Sequence, residues 1–170
     1  NTKKRGCVYL KQDLYNKLVA YIIENQDKFY RLAFSYVKNQ DDALDVVQNA
    51  VCKALTHYKN EEAIKTWFYK IVLNESLALL KAKKRLVLTD ESYYHEIPYE
   101  EKQFEIHDDL YTQIEQMEED AQNIIKLRFF EELELNEIAQ ILRMNLNTVK
   151  TKLYRELKAL KIAIEKEAGV

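Results

Sequence analysis

Glycine and proline are nearly absent from this 170-residue chain, which has two Gly and one Pro where average usage would give roughly twelve and eight. Turn-dense β architectures are disfavoured by that scarcity. Gly6 and Gly169 stand at the two ends and Pro98 is the sole proline. Neither G-x-G-x-x-G nor G-x-x-x-x-G-K-[ST] can therefore occur, which removes the two common phosphate-cradling loops. Cysteine is equally scarce. Cys7 and Cys52 form no C-x-x-C pair, and only His57, His95 and His107 are available beside them, so neither a metal centre nor a disulfide framework is expected. Neither cysteine has an activating neighbour pair, and plain packing is expected of both. The longest apolar run, Leu18 to Ile23, falls far short of the roughly 20 residues that span a bilayer, and Lys3-Lys4-Arg5 leads into no signal-peptide core. A cytoplasmic location is the expectation, with no cofactor.

What is present is a composition suited to a packed chain, 47% hydrophobic and 32% charged, long enough for one domain or two small ones. The net charge of −2 is an average over segments of opposite sign, and the segments carry the information. Between Thr89 and Asp120, twelve acids face Lys102 alone, a local charge of −11. Between Arg143 and Lys166, seven bases face Glu156 and Glu165, a local charge of +5. Lys81, Lys83, Lys84 and Arg85 form a second basic cluster just before the acidic stretch. The outline is two anion-binding modules joined by an acidic strap.

Apolar residues recur at helical spacing from Leu10 through Ile22 and again from Phe29 to Val37, which predicts two nearly continuous helical segments. Asn39-Gln40-Asp41 offers an N-cap for a helix from about Asp42 to His57. A third helix is predicted from about Glu62 to Arg85, followed by a short possible β stretch from Arg85 to Thr89. Periodicity breaks around Tyr93, Tyr94, Pro98 and Tyr99. It resumes as helices over Asp108 to Met117, Asp120 to Phe130, Glu134 to Leu142 and Asn145 to Glu167. The fold expected is all-α, with an N-terminal domain over 1–86, an acidic linker over 87–107 and a C-terminal domain over 108–170.

With Asn145 as N-cap, the last helix gathers Leu146, Val149, Leu153, Leu157 and Leu160 on one arc at 3.6 residues per turn. The opposite arc carries Asn147, Thr148, Thr151, Lys152, Arg155 and Lys158, with Lys150 and Tyr154 at its edges. Short hydroxyl and amide side chains at a helix start can meet base edges in a major groove, and longer bases further along reach phosphates. The helix ending at Leu142 and the turn at Arg143-Met144 complete a helix-turn-helix. Any surface helix has a polar face; the +5 local charge and the two-helix spacing favour DNA over that plain reading.

These residues resemble a known family across nearly the whole chain, the extracytoplasmic-function (group 4) sigma factors of bacterial RNA polymerase. Tyr30-Arg31-Leu32-Ala33 through Asp41-Asp42-Ala43-Leu44-Asp45-Val46-Val47-Gln48 resembles sigma regions 2.1 to 2.2. Lys65-Thr66-Trp67-Phe68-Tyr69-Lys70-Ile71 with Asn74 resembles regions 2.3 to 2.4. Leu127-Arg128-Phe129-Phe130, Glu137 to Leu142 and Asn147-Thr148-Val149-Lys150-Thr151-Lys152-Leu153 resemble region 4.2. Within the family, the wording is similar to the sigma-V type of low-GC Gram-positive bacteria. The chain departs from the family at the helix-turn-helix. Arg143 stands where a turn glycine is usual, Asn147 where a small residue follows the N-cap, and Glu134 where a Ser or Thr cap precedes the first helix. If φ is positive at Arg143, the side chain costs on the order of 1 kcal/mol there.

The resemblance implies that Asp42, Asp45, Gln48 and Asn49 dock on the clamp helices of core RNA polymerase through charge-assisted hydrogen bonds. Read without it, the acids at the start of this helix compensate the macrodipole. The resemblance also implies a −10 element reader built from Tyr58, Asn60, Lys65, Lys70, Asn74, Lys81 and Lys84, in which aromatic, amide and phosphate-binding groups hold an unstacked base. Trp67, Phe68 and Ile71 are expected in the core, and the run from Lys81 to Arg85 reads equally as a solvated helix end. The −35 element would be read by Asn147, Thr148, Lys150, Thr151, Lys152, Arg155 and Lys158.

The partners implied are core RNA polymerase, promoter DNA and an anti-sigma factor, membrane-anchored, in a cell-envelope stress response, with no small-molecule substrate. A further expectation is that the acidic strap lies near the basic surfaces of the free protein and weakens promoter binding. A stand-alone operator-binding regulator would explain the C-terminal half but not the Asp-Asp-Ala-Leu-Asp-Val-Val-Gln helix. A helical adaptor is the remaining alternative, which absence of DNA binding with or without polymerase would favour, and no residue constellation suggests catalysis.

Overall fold

The computed structural model describes residues 2–59, 63–89 and 108–167. Among the described residues every regular element is helical. The chain divides into two compact units, Asn1–Leu86 and Val87–Val170.

The first unit holds three helices. The two expected N-terminal segments are one helix, α1, Thr2–Val37; Asn25 does not break it, because its side-chain amide donates to the carbonyl of Tyr21 one turn back at 2.9 Å. Lys38, at φ 55°, ends α1 by donating its N–H to Phe34 O at 2.9 Å, the single-bond left-handed cap. Asn39 then starts α2, Gln40–His57, its Oδ1 accepting from Asp42 N–H at 3.0 Å. Ala43, Val46, Ala50 and Ala54 form the buried side of α2, and their small volumes let neighbouring helices approach closely. The third helix, α3, spans Ile64–Thr89. It includes residues 85–89, for which the sequence suggested a β stretch. Leu86 and Val87 are exposed, and a run of apolar residues continuing an established helix needs only one more hydrogen bond per residue, whereas an isolated strand has no partner. The core centres on Phe29, fully buried, with the rings of Phe68 and Tyr69 edge-on to it at 4.6 and 5.2 Å. Ion pairs from Lys53 to Glu75 and from Asp42 to Lys83 tie α2 to α3. As residue number rises along α2 it falls along α3, so the two helices run antiparallel.

The second unit contains α4, Asp108–Glu115, α5, Glu119–Ile125, α6, Leu135–Leu142, and α7, Leu146–Glu167. A five-residue π-helical turn, Lys126–Phe130, continues α5. The sequence predicts one α-helix there; the wider turn, closed by Glu131 N–H to Lys126 O at 3.3 Å, buries Leu127 and leaves Phe129 half-exposed. Glu134 serves as N-cap of α6, and its N–H donates to Glu137 Oε2 at 2.9 Å. A carboxylate pair thus replaces the usual hydroxyl at this end, where the helix dipole favours negative charge.

The α6–α7 turn resolves the question raised by its missing glycine. Arg143 sits at φ 52°, ψ 43°, in the left-handed region. Its N–H donates to Gln140 O at 3.3 Å and Met144 N–H donates to Ala139 O at 2.9 Å, the paired hydrogen bonds of a Schellman motif. The backbone is therefore the one a glycine would adopt, with a Cβ added. Arg143→Gly is expected to stabilise the second unit by about 1 kcal/mol, and Arg143→Val to destabilise it. Calorimetric midpoints for the two variants in opposite directions from wild type would confirm this; a lower midpoint for Arg143→Gly would refute it.

Candidate functional site

The helix-turn-helix presents α7 with its first turn locked. Asn145 Oδ1 accepts from Asn147 N–H at 2.8 Å, and Thr151 Oγ1 donates to Asn147 O at 2.8 Å. Val149, Leu153 and Leu160 are buried. Asn147, Thr148, Lys150, Thr151, Arg155 and Lys158 are exposed. At 100° per residue the exposed arc centres on Asn147, Thr151, Tyr154 and Lys158. Tyr154, 63% exposed, is thus in the middle of the face and not at its edge. Lys152 lies about 100° round the helix from Thr151. Its side chain is only 18% exposed, and its ammonium is 2.8 Å from Asp120 Oδ2 and 3.3 Å from each Glu118 oxygen. The hydrogen bond with Asp120, helped by Glu118 and opposed by partial desolvation, holds the Lys152 ammonium above the ordinary lysine range. On a separate side of α7, Leu157, Leu160 and Ile164 join Leu110, Ile114 and Phe129 around an open apolar groove of about 550 Å³.

On α2, Asp41, Asp45, Gln48 and Cys52 form one exposed stripe, with Asn49 beside it. Cys52 is therefore not a packing residue; it stands in the open among acidic and amide groups. Asp42 is turned off this stripe toward α3, where its carboxylate accepts from the Lys83 ammonium. Leu44, 51% exposed, and Leu55 border the stripe on its other side. The result is an acidic-amide strip with an apolar edge.

On α3, Lys70, Asn74 and Lys81 share a stripe with Trp67 and Arg85, all within about 60° at helical spacing. Lys65 and Lys84 are exposed on other arcs. Phe68 is fully buried, as expected for core, whereas Trp67 and Ile71 are half-buried. Trp67 packs its ring against Tyr58 at 5.0 Å, at the residue that ends α2. An aromatic pair thus heads the basic stripe. Asn60, also expected at this site, lies outside the described residues, as do residues 90–107 of the acidic stretch and, within α1, the side chain of Cys7.

Comparison with known proteins decides what this arrangement is. Residues 22–86 match Sigma-70 region 2, and residues 107–160 match Sigma-70, region 4. The chain is 42% identical over 160 residues to "RNA polymerase sigma factor SigV" of Bacillus subtilis, covering 92% of this chain and 96% of that one. It belongs to the extracytoplasmic-function sigma factors.

This sigma factor is also 25% identical over 154 residues to "ECF RNA polymerase sigma factor SigW" of Bacillus subtilis, covering 80% of this chain and 82% of that one. Two solved structures share its fold. One is the sigma factor RpoE in complex with the anti-sigma factor NepR from Bartonella quintana, with a TM-score of 0.69 at 18% identity over 88% of this chain and 97% of that one. The other is CnrH in complex with the cytosolic domain of CnrY, with a TM-score of 0.66 at 16% identity over 93% and 96%. The all-α reading with two helical domains and the family assignment both stand.

Sequence reasoning about this sigma factor missed three features of its surfaces. Leu44 is exposed although apolar, a position visible in retrospect because it falls four residues before Gln48. Asp42 and Lys152, both counted as surface charges, are engaged by residues 41 and 32 positions away. No local pattern signals such pairing. Tyr154 lies within the exposed polar arc once the helix is centred on Asn147 and Lys158.

Proposed function

We propose that this sigma factor binds core RNA polymerase through α2 and reads promoter DNA through α3 and α7 to start transcription. The observation that carries the reading is the exposed polar and basic face of α7, set behind a helix-turn-helix turn. Asp45, Gln48 and Asn49, with Asp41 and the Leu44 edge, face the polymerase. Asp42 joins them when it leaves Lys83. Lys70, Asn74 and Lys81, headed by Trp67 and Tyr58, face the −10 element, with Asn60, Lys65 and Lys84 at its borders. Asn147, Thr148 and Thr151 meet base edges of the −35 element, while Lys150, Arg155 and Lys158 reach phosphates. Lys152 takes a bracing role in place of the phosphate contact expected of it.

The domain boundaries proposed for these roles are 1–86 and 108–170, joined by 87–107. Restraint comes from an anti-sigma factor, as in the solved complex of the sigma factor RpoE with the anti-sigma factor NepR, whose sigma subunit shares this fold, and the stress response is one of the cell envelope. No helix among the described residues is long and apolar enough to cross a membrane. In this reading the chain acts in the cytoplasm and any attachment to a membrane comes from the anti-sigma partner. No step in this reading calls for catalysis by the chain.

The test is in-vitro transcription with core polymerase on promoter fragments, with and without the protein, followed by 5′-end mapping. Starts that need both components, downstream of a shared −35 and −10 pair, are expected. Absence of such starts, with DNA binding in the absence of polymerase, would instead make the chain an operator-binding regulator.

A further inference from the structure

The acidic stretch noted in the sequence ends inside the second unit, and its last members lie against the side of α7. Glu118 immediately precedes α5, and Asp120 lies in its first turn. Two cations of α7 share three carboxylates there. Lys152 is held by Asp120 and Glu118, and Arg155 Nη2 lies 2.7 Å from Glu156 Oε1 and 3.7 Å from Glu118 Oε2. The three acids differ in how they hold. Asp120 and Glu156 make contacts of 2.8 and 2.7 Å, and the Glu156 side chain is only 15% exposed. Glu118 is 59% exposed and touches both cations at longer range, 3.3 and 3.7 Å. With Asp120 itself 47% exposed but held at 2.8 Å, Glu118 is the carboxylate that an approaching phosphate displaces most easily.

We propose that Glu118 is a specificity-determining residue, which keeps Lys152 from serving sequence-blind phosphate binding and leaves the choice of duplex to the base-edge contacts of α7, while Arg155 keeps its closer partner Glu156. The inference rests on the reading of α7 as the DNA-recognition helix. A non-specific complex is held by phosphate contacts alone, so it shifts until each mobile cation finds a phosphate. In a specific complex, base contacts from Asn147 and Thr151 pin the helix. Lys152, about 100° round from Thr151, is then turned away from the DNA whether or not Glu118 holds it. Loosening the rim therefore adds to non-specific binding more than to specific binding. The same contact gives the expected weakening of DNA binding by the acidic stretch a physical location in α7 itself.

The experiment measures anisotropy titrations of the full chain on the promoter duplex mapped by transcription and on a duplex of the same length with its −35 hexamer scrambled. The holoenzyme on the same duplexes gives a second reading. Glu118→Gln is expected to raise affinity for the scrambled duplex about five-fold and to steepen its log–log salt dependence by about 0.9, one phosphate contact. Promoter affinity should change less than two-fold. Glu119→Gln removes the same charge one residue on and is expected to leave the discrimination ratio unchanged. Equal gains on both duplexes, no gain on either, or the same effect from Glu119→Gln would overturn the proposal. If wild type binds both duplexes alike, it is the reading of α7 that fails; if wild type discriminates and Glu118→Gln alters nothing, only the role of Glu118 fails.

Discussion

Reversing the charge of Asp45 with Asp45→Arg is expected to abolish transcription starts that depend on this protein while leaving it folded. Asp45 is exposed on α2 between Asp41 and Gln48, so the substitution costs no burial and should leave the thermal midpoint and helical content unchanged. An acidic-amide strip recognises basic and polar partners. Placing arginine in it sets like charges across the interface, at a cost of several kcal/mol. That is a loss of about 100-fold or more in affinity, enough to leave core polymerase without the subunit at working concentrations. Binding of short −35 duplexes by α7 should survive. Asp42→Asn makes the informative contrast. Its carboxylate braces α3 through Lys83, so it should lower the melting midpoint of the first unit more than it lowers polymerase affinity. Transcription at wild-type level with Asp45→Arg would remove the α2 strip from the polymerase interface.

Such contrasts show where the sequence was sufficient. The amphipathic period of α2 and α7, the cap Asn145 and a cap within Asn39-Gln40-Asp41, which Asn39 supplies, are local features, decided within one or two turns of helix. They appear in the structure with their hydrogen bonds in place. Arg143 was legible in the same way, since a residue ending one helix three positions before the next start has few backbone options. What was not legible depends on partners distant in sequence. Lys152 reads as one more base on a basic helix until α5 places Asp120 against it, and Asp42 reads as a dipole-compensating acid until α3 brings Lys83 across. The π-helical turn at Lys126–Phe130 is a third case. The apolar spacing of Leu127, Phe129 and Phe130 fits an α-helix well enough, and only packing around Leu127 selects the wider turn.

The largest effect on stability is expected at the centre of the first unit. Phe29 is fully buried, and the rings of Phe68, Tyr69 and Tyr21 stand 4.6, 5.2 and 5.9 Å from it. Truncation by Phe29→Ala removes its transfer energy and opens a cavity, together about 3–5 kcal/mol, and each lost edge-on ring contact adds about 0.5–1.5 kcal/mol. A small domain is stable by about 5–15 kcal/mol in total, so a loss of this size removes much or all of it. Amides of α1, α2 and α3 should therefore lose most of their hydrogen-exchange protection, and polymerase binding should go with them. Those of α5, α6 and α7 should keep theirs, along with binding to a −35 duplex, because the second unit has its own core around Ile124, Leu127, Ile138 and Val149. Phe29→Leu, which fills most of the space, should retain function with a lowered midpoint. Protection lost equally in α7 would mean that the two units fold as one, and the separate polymerase-binding and −35-reading roles drawn from them would then need a shared structural basis.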